Sequence, residues 1–332
     1  MRIAIVGCGL IGGKRAAGLS SEDQLVACCD TRYEAVEKMA SDYQCRAFTD
    51  YKAMLAEVDC DAVVVAVVNK FIQPIVMAAL ESERHVLAEK PLGRNAQEAK
   101  SMADKAREKN VILKTGFNHR FHPAVWQAHQ MAAEGKIGPL LFVRGRYGHG
   151  GRPGMEKEWR SSPDLCGGGE LLDQGVHLID LSRWFCGDMA RVFGTVKTKY
   201  WPIEVEDNAF VQMESRSGID VQLQVSWCNW KNIFCLELFG RDGYLMIEGL
   251  GGSYGTETLT WGVRKPEGGR PEIRSWEFPG SDQSWQAEWR EFSAAIVEHR
   301  PAIGSGRDGW EANRIIQAIY RSHQLKCQVE LD

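Results

Sequence analysis

The chain has 332 residues, 44% of them hydrophobic and 25% charged, with a formal net charge of −4 and a pI near 6.1. That length exceeds what one hydrophobic core comfortably serves, so two domains are expected. The charge balance gives no electrostatic reason to expect nucleic acid or an anionic membrane as partner. Apolar runs such as residues 62–68 are far too short to cross a bilayer. Residues 1–6 lead straight into a strand and a glycine loop, so no targeting segment is expected. The ten cysteines are scattered, form no CxxC pair and mostly sit in apolar stretches, where a thiol acts as a small hydrophobe. A reducing, cytoplasmic setting follows as the expectation.

In chain order, residues 3–6 form a short apolar run, followed by glycines and a helical stretch over 10–19. Residues 24–29 predict a second strand, and 33–41 a helix with Ala35, Val36, Met39 and Ala40 on one side. Residues 62–67 are nearly all Val and Ala, the composition of a parallel strand covered on both faces. Strands at 85–88 and 111–115 alternate with helices at 73–83 and 96–109. This alternation predicts a doubly wound parallel Rossmann sheet over residues 1–120.

From residue 121 to 332 the pattern changes. A helix is expected at 123–134, closed by Gly135, and another from about Leu171. Alternating segments at 140–147, 192–200, 208–214, 220–227, 234–239 and 244–247 predict an α/β domain with a large, mostly antiparallel open sheet. Residues 249–282, rich in Gly, Pro and Trp, give no clear pattern. Two helices, at 285–298 and 308–326, close the chain and can return to the first domain.

Gly7, Gly9 and Gly12, with Cys8, Leu10 and Ile11 between them, fit GxGxxG. The first glycine permits a tight turn, the second a close approach to a pyrophosphate, the third close packing of helix on sheet. The helix that follows presents its N–H groups to the phosphates. A lone GxGxxG is weak, but here Asp30 follows Gly12 by 18 residues, at the end of the second strand. That carboxylate suits the ribose hydroxyls of NAD and would repel the extra phosphate of NADP. Thr31 and Arg32 adjoin it, and Arg32 keeps NADP open as the alternative.

Glu89, Lys90 and Pro91 follow the strand at 85–88. A lysine at the carboxyl end of a parallel strand points into the crevice where open sheets bind ligands. Alone, a surface lysine before a turn proline is the commoner reading. Farther on, three glycines (Gly167, Gly168, Gly169) open a helical segment in which Asp173 and His177 stand four apart, on one face of a helix. An imidazole beside a carboxylate handles protons near neutrality, with the acid fixing its orientation. A surface ion pair is the plain alternative. No further His or Cys stands at ligand spacing, so no metal is expected.

Together these residues resemble the Gfo/Idh/MocA oxidoreductase family, the family of inositol dehydrogenase and glucose–fructose oxidoreductase. The resemblance spans essentially the whole chain: the glycine fingerprint, the Asn69 loop, EKP at 89–91, NHRFHP at 118–123, Trp159 with Arg160, GGGELLDQGVH at 167–177, and AIYRS at 318–322. It implies a Rossmann domain joined to a substrate-binding and oligomerisation domain. It also implies roles. Lys90 would hydrogen-bond the reacting carbinol oxygen, His177 would be its acid–base partner, and Asp173 would orient both substrate and histidine. Asn69, Glu89 and Asn118 would line the cofactor pocket, with Arg120, Trp159 and Arg160 at the boundary between cofactor and substrate. The expected reaction is NAD-linked oxidation of a secondary alcohol on a sugar or cyclitol ring.

Two positions depart from the family pattern. Val67 and Val68 stand where Thr-Pro is usual before Asn69, and Ile72 where a histidine often follows it. The loop at 147–152 (YGHGGR) carries His149 and Arg152 and could close over a substrate, although an ordinary surface loop is as good a reading. If either side chain reaches the ligand, a charged or nucleotide-linked sugar gains weight. The alternatives are a nucleotide-sugar 3-dehydrogenase of the UDP-N-acetylhexosamine type and a non-catalytic dinucleotide sensor. Reduction of an imine such as dihydrodipicolinate ranks last. Tryptophans near the sheet segments (Trp201, Trp227, Trp230, Trp261, Trp276) point to a homodimer or homotetramer wherever a sheet face leaves them exposed.

Overall fold

The computed structural model describes residues 1–331. The chain divides into two compact units. The first comprises Met1–Asn118, Asp164–Gly167 and Trp285–Asn313; the second comprises His119–Pro163, Gly168–Ser284 and the chain from Arg314 onward.

The first unit alternates β1 (Arg2–Val6), α1 (Leu10–Ala17), β2 (Gln24–Cys29), α2 (Tyr33–Tyr43), β3 (Arg46–Phe48), α3 (Tyr51–Glu57), β4 (Ala62–Val65), α4 (Asn69–Glu81), β5 (His85–Ala88), α5 (Ala96–Glu108) and β6 (Leu113–Thr115). The six strands are parallel in the order β3-β2-β1-β4-β5-β6. The order reverses between β1 and β4, the switch point at which such sheets bind ligands. The pleat sorts the buried side chains. Ala4, Val6, Val63, Val65, Val86 and Ala88 face one core with Met54, Ile72, Val76 and Met102. Ile3, Ile5, Ala62, Val64 and Leu87 face the other with Val36 and Met39. Burial on both faces is why these strands read as continuous apolar runs. Two elements gave no sequence signal: β3 is a three-residue edge strand, and α3 is only seven residues long. Asp50 caps α3 by accepting the Lys52 N–H at 2.9 Å.

The second unit contains α6 (Pro123–Ala133), β7 (Leu140–Gly148), the one-turn α7 (Pro163–Cys166, nearly all of it counted with the first unit), α8 (Glu170–Asp173), α9 (Gly175–Cys186), β8 (Met189–Lys197), β9 (Asn208–Ser215), β10 (Asp220–Ser226), β11 (Ile233–Gly240), β12 (Gly243–Glu248), β13 (Glu257–Val263) and β14 (Glu272–Phe278). The chain closes with α10 (Ser284–Val297), α11 (Gly306–Leu325) and β15 (Val329–Glu330). The nine-stranded sheet runs β14-β13-β12-β11-β7-β10-β9-β8-β15. The pair β7–β10 is parallel and the others are antiparallel. α6, α8 and α9 cover one face. The other face is open. Phe142, Arg144 and Arg146 on β7 and Phe210 and Gln212 on β9 point outward, alternating with buried neighbours.

Strands β13 and β14 occupy the stretch that gave no pattern. β14 (EIRSWEF) is an edge strand whose residues are mostly exposed, so no apolar alternation marks it.

α10 belongs to the first unit: Trp289 and Phe292 complete the second core there. It also brings Glu288 to Arg15 of α1. The Arg15 guanidinium is buried between Glu89 (Nε–Oε1 2.7 Å) and Glu288 (Nη1–Oε2 2.5 Å). Burial alone would lower its pKa, but the two carboxylates outweigh that and raise it. Arg15→Met would leave the Glu89 and Glu288 carboxylates buried without the guanidinium between them, with Lys114, 3.7 Å from Glu288, as the remaining cation there. The expected cost is about 3–5 kcal/mol, read by denaturant unfolding of the full chain. A loss under about 1 kcal/mol would show that the pair contributes no more than an exposed one.

Candidate active site

In the first unit the glycine loop leaves β1 at its carboxyl end. Gly7 takes φ +101° and donates its N–H to the Cys29 carbonyl at 2.7 Å; a Cβ there would stand 2.1 Å from the Ala66 carbonyl oxygen. At Gly12 a Cβ would lie 1.8 Å from the Gly7 carbonyl oxygen. These two glycines are required by the chain's own packing. Gly9 differs, because a Cβ would meet nothing nearer than the Arg32 guanidinium at 3.7 Å. Its bareness matters to what approaches the loop from outside. α1 begins next to it with no side-chain cap and no acidic residue in its first turn, so its positive end stays available to an anion. Leu10 is exposed and Ile11 partly so.

Asp30 ends β2 and accepts the N–H groups of Cys8 (2.8 Å) and Arg32 (3.0 Å), with the Arg32 Nε 3.4 Å away. A carboxylate offers about four acceptor positions, so lone pairs remain for ribose hydroxyls. Thr31 and Arg32 are exposed beside it. The bare Gly9, the uncapped helix and this carboxylate fit a dinucleotide.

Along the same strand ends, Glu89 continues the ladder by donating its N–H to the Val65 carbonyl, while its carboxylate holds Arg15. Lys90 comes next, half-buried, its backbone N–H donated to Glu89 Oε2 at 3.3 Å. Asn69 opens α4, buried, and donates Nδ2–H to the Cys166 carbonyl at 2.8 Å. Asn118 is buried at the start of the 3-10 turn Asn118–Phe121. Ile72, at the position where the family often has histidine, is fully buried in the core and so makes no contact with solvent or cofactor from there.

In the second unit the expected single helix through Asp173 and His177 is interrupted. α8 ends at Asp173, Gln174 stands between, and α9 starts at Gly175. Gln174 keeps αR dihedrals (φ −102°, ψ −35°) and donates its N–H to the Glu170 carbonyl at 3.0 Å, while the His177 N–H turns to the Gln174 carbonyl at 3.0 Å. The two residues therefore come from successive helices.

The glycine run ahead of them is structural. A Cβ on Gly168 would lie 2.3 Å from the Tyr320 hydroxyl, and one on Gly169 would lie 2.0 Å from the Glu206 carbonyl oxygen. Glu206 then caps α8, accepting the N–H groups of Gly169 (3.0 Å) and Leu171 (3.1 Å) and the Tyr320 hydroxyl (2.7 Å). Burial pushes its pKa up despite these bonds.

Asp173 meets Arg160 (Nε–Oδ2 3.4 Å), whose guanidinium lies over the Trp159 ring at 4.5 Å. His149 is half-buried, accepts the Gly151 N–H at Nδ1 and feels the charges of Asp173, Arg152 and Arg160. Burial pushes its pKa down. Arg152 is exposed and paired with Glu158 at 2.7 Å. Arg120 is buried and bound through two nitrogens to Asp180 (2.8 and 2.6 Å). Its charge is committed within the fold.

His177 is 3% exposed and stacks on His119, ring centroids 3.5 Å apart and planes 14° from parallel. His119 Nε2 lies 3.0 Å from the Tyr147 hydroxyl, and the Tyr147 ring meets that of Tyr254, whose hydroxyl accepts from Gln174 at 2.8 Å. Burial holds the Tyr147 phenol well above its usual pKa, so it stays neutral. Sequence reasoning did not single out His119, Tyr254, Gln174 or Glu206. His119 lies inside the NHRFHP stretch, which was the one available signal; Tyr254 lies in the stretch without pattern.

Comparison with known proteins agrees with this geometry. Residues 1–117 match the family described as "Oxidoreductase family, NAD-binding Rossmann fold", and residues 125–246 match the "GFO/IDH/MocA C-terminal domain". Those matches define an NAD-binding oxidoreductase. The chain belongs to the Gfo/Idh/MocA family. Among its relatives, levoglucosan dehydrogenase of Pseudarthrobacter phenanthrenivorans is 33% identical, covering 85% of this chain and 83% of that one. D-glucoside 3-dehydrogenase of Escherichia coli is 26% identical, covering 100% and 97%. A solved levoglucosan dehydrogenase in complex with NADH shares the fold at a TM-score of 0.91 and 22% identity, covering 100% of this chain and 99% of that one.

Asp30→Ala should weaken NADH binding about tenfold and narrow the preference over NADPH, as read by nucleotide fluorescence titration. Unchanged NADH affinity would remove Asp30 from the ribose.

Proposed function

We propose that this protein oxidises a secondary hydroxyl of a sugar or cyclitol ring, reversibly, with NAD as hydride acceptor. The observation that carries the reading is the buried, stacked imidazole of His177, four residues past the carboxylate of Asp173. It sits in a chain whose relatives are named as dehydrogenases of levoglucosan, glucosides and inositols. Bound NAD supplies the acceptor for the hydride leaving the carbinol carbon. His177 takes the hydroxyl proton, and Lys90 hydrogen-bonds the same oxygen as negative charge develops on it. Asp173, steadied by Arg160, orients the substrate. Gly7, Gly9, Leu10, Ile11, Gly12, Asp30, Thr31, Arg32, Asn69, Glu89 and Asn118 hold the cofactor. His149 is the polar group of the 147–152 loop best disposed toward substrate, because it feels Asp173 and is neutral near pH 7.

A specific observation favours ring carbon 3. Both D-glucoside 3-dehydrogenase and dTDP-3,4-didehydro-2,6-dideoxy-alpha-D-glucose 3-reductase of Streptomyces violaceoruber carry that position in their names, the latter 26% identical over 98% of this chain. A nucleotide-linked sugar is therefore the second reading.

NADH formation measured with levoglucosan, methyl glucosides, inositols and nucleotide sugars separates the readings. A signal from nucleotide sugars alone overturns the free-sugar version. Lys90→Met should lower kcat about a thousandfold and leave NADH affinity within about twofold. Undiminished turnover in that variant would end the role given to Lys90.

The open sheet face supports pairing with a second copy of the chain. Phe142, Phe193 and Phe210 lie exposed there among charges of both signs, such as Arg144 and Glu237, a mixture that complements itself under two-fold symmetry. Phe142→Glu combined with Phe210→Glu should convert the assembly to monomer in light scattering; an unchanged mass places the contact elsewhere. Among the described residues no helix is long and apolar enough to cross a membrane. The ten cysteines are all thiols, which supports a reducing, cytoplasmic setting.

A further inference from the structure

We propose that His119 is a positioning residue for His177: the stack fixes the plane of the His177 ring and limits the two imidazoles to one proton between them. The inference rests on His177 being the acid–base group. Both rings are buried, at 7% and 3% exposure, and lie in van der Waals contact face to face. The face of a neutral imidazole can support a neighbouring cation, whereas two cations so placed repel strongly, so the pair titrates as one unit. With both rings neutral His177 is able to accept, and a proton already on either ring blocks it. When His177 takes the carbinol proton, a neutral His119 lies against the new cation.

His119 is itself held from three sides. The Tyr147 hydroxyl reaches Nε2 at 3.0 Å, and the rings of His122 and Phe234 meet it edge-on. The titratable and charged groups around the pair come from several elements: His122, edge-on to His119, is bound to the buried Glu257 at 3.0 Å and lies 3.8 Å from Asp282. α8 brings Glu170 and Asp173, the latter paired with Arg160. β7 brings Tyr147, the loop before β13 brings Tyr254, and the 118–121 turn brings His119 and Arg120. α9 itself carries Asp180, bound to Arg120. From β10, which also packs on α9, the only charged residue is the exposed Asp220 at the strand's start. Glu170 and Asp173 both act on Tyr147 and Tyr254, and burial keeps those phenols protonated. Neither tyrosine competes for the pair's proton.

The experiment compares wild type, His119→Phe, His119→Ala and His177→Gln, with levoglucosan and methyl glucoside as probes. His119→Phe keeps a flat stacking partner but no longer shares the proton. Its kcat should match wild type within about threefold at alkaline pH, with the acidic limb moved to lower pH because no second ring holds a competing proton. His119→Ala frees the ring as well, and should lose about tenfold or more in kcat at every pH with KM within about twofold. A pH profile in His119→Phe that overlays wild type overturns the proposal. Full activity in His177→Gln instead overturns the reading of His177, leaving a distinct signature. Should the variants fail to fold, the imidazole proton resonances of wild type decide. Mutually dependent titration of His119 and His177 supports the pair, and two independent single-site curves overturn it.

Discussion

A guanidinium buried between two carboxylates sets the geometry of the first unit. Arg15 stands on α1, the helix that follows the glycine turn at 7–9, and Glu89 stands directly before Lys90. The bond between them fixes the strand end that carries the lysine against the helix that follows the glycine loop. Glu288 draws α10 into the same contact, so a segment from the far end of the sequence closes the second core with Trp289 and Phe292. Gly116 shows how closely this centre is packed, since a Cβ there would come within 2.6 Å of the Arg15 guanidinium. A buried ion pair of this kind is weak evidence for net stability, because desolvation offsets most of the attraction. What it supplies is direction: Arg15 reaches both carboxylates at once, and buried Lys114 lies 3.7 Å from Glu288 on its other side.

The two glycine runs do different work, though both read as loop motifs. In the first unit Gly7 and Gly12 answer to the chain's own backbone, and Gly9 alone leaves room for an incoming group. In the second unit Gly168 and Gly169 are bare because Tyr320 and Glu206 occupy the space a Cβ would need. Glu206 accepts the amides of Gly169 and Leu171, so the helix start that leads to Asp173 is already capped by protein. One glycine loop is left open for a ligand; the other is filled and places a carboxylate.

Most of the first unit was legible in the sequence because parallel strands buried on both faces leave unbroken apolar runs, and Ala62–Val65 is the plainest case. The same logic hid β3 and α3, which are too short to carry a period, and β14, whose edge position leaves it mostly exposed. At the site, Lys90, Asp173 and His177 were legible as types at suggestive spacing, whereas the break at Gln174 was not. It shows only in the backbone, where the His177 N–H bonds to the Gln174 carbonyl three residues back. Arg120 shows the opposite limit. The family resemblance placed it at the boundary between cofactor and substrate; its guanidinium binds Asp180, 60 residues away, a pairing that no local pattern encodes. His119 was invisible for the same reason, since stacking is a property of two rings in space.

That stack bears on what alcohol oxidation demands of a buried base. In the proposed reaction one proton moves onto the His177 imidazole, which is 3% exposed, and the cation so formed must be tolerated there. Two imidazolium charges some 4 Å apart repel by about 4 kcal/mol at an effective dielectric near 20, so the ring pair admits one positive charge and resists a second. The surroundings match that single charge. Glu170 is fully buried nearby, and its negative charge is felt at Tyr147 and Tyr254, which burial holds as neutral phenols. In the proposed reaction the group that changes charge is the histidine pair, and the neutral phenols beside it do not compete for its proton.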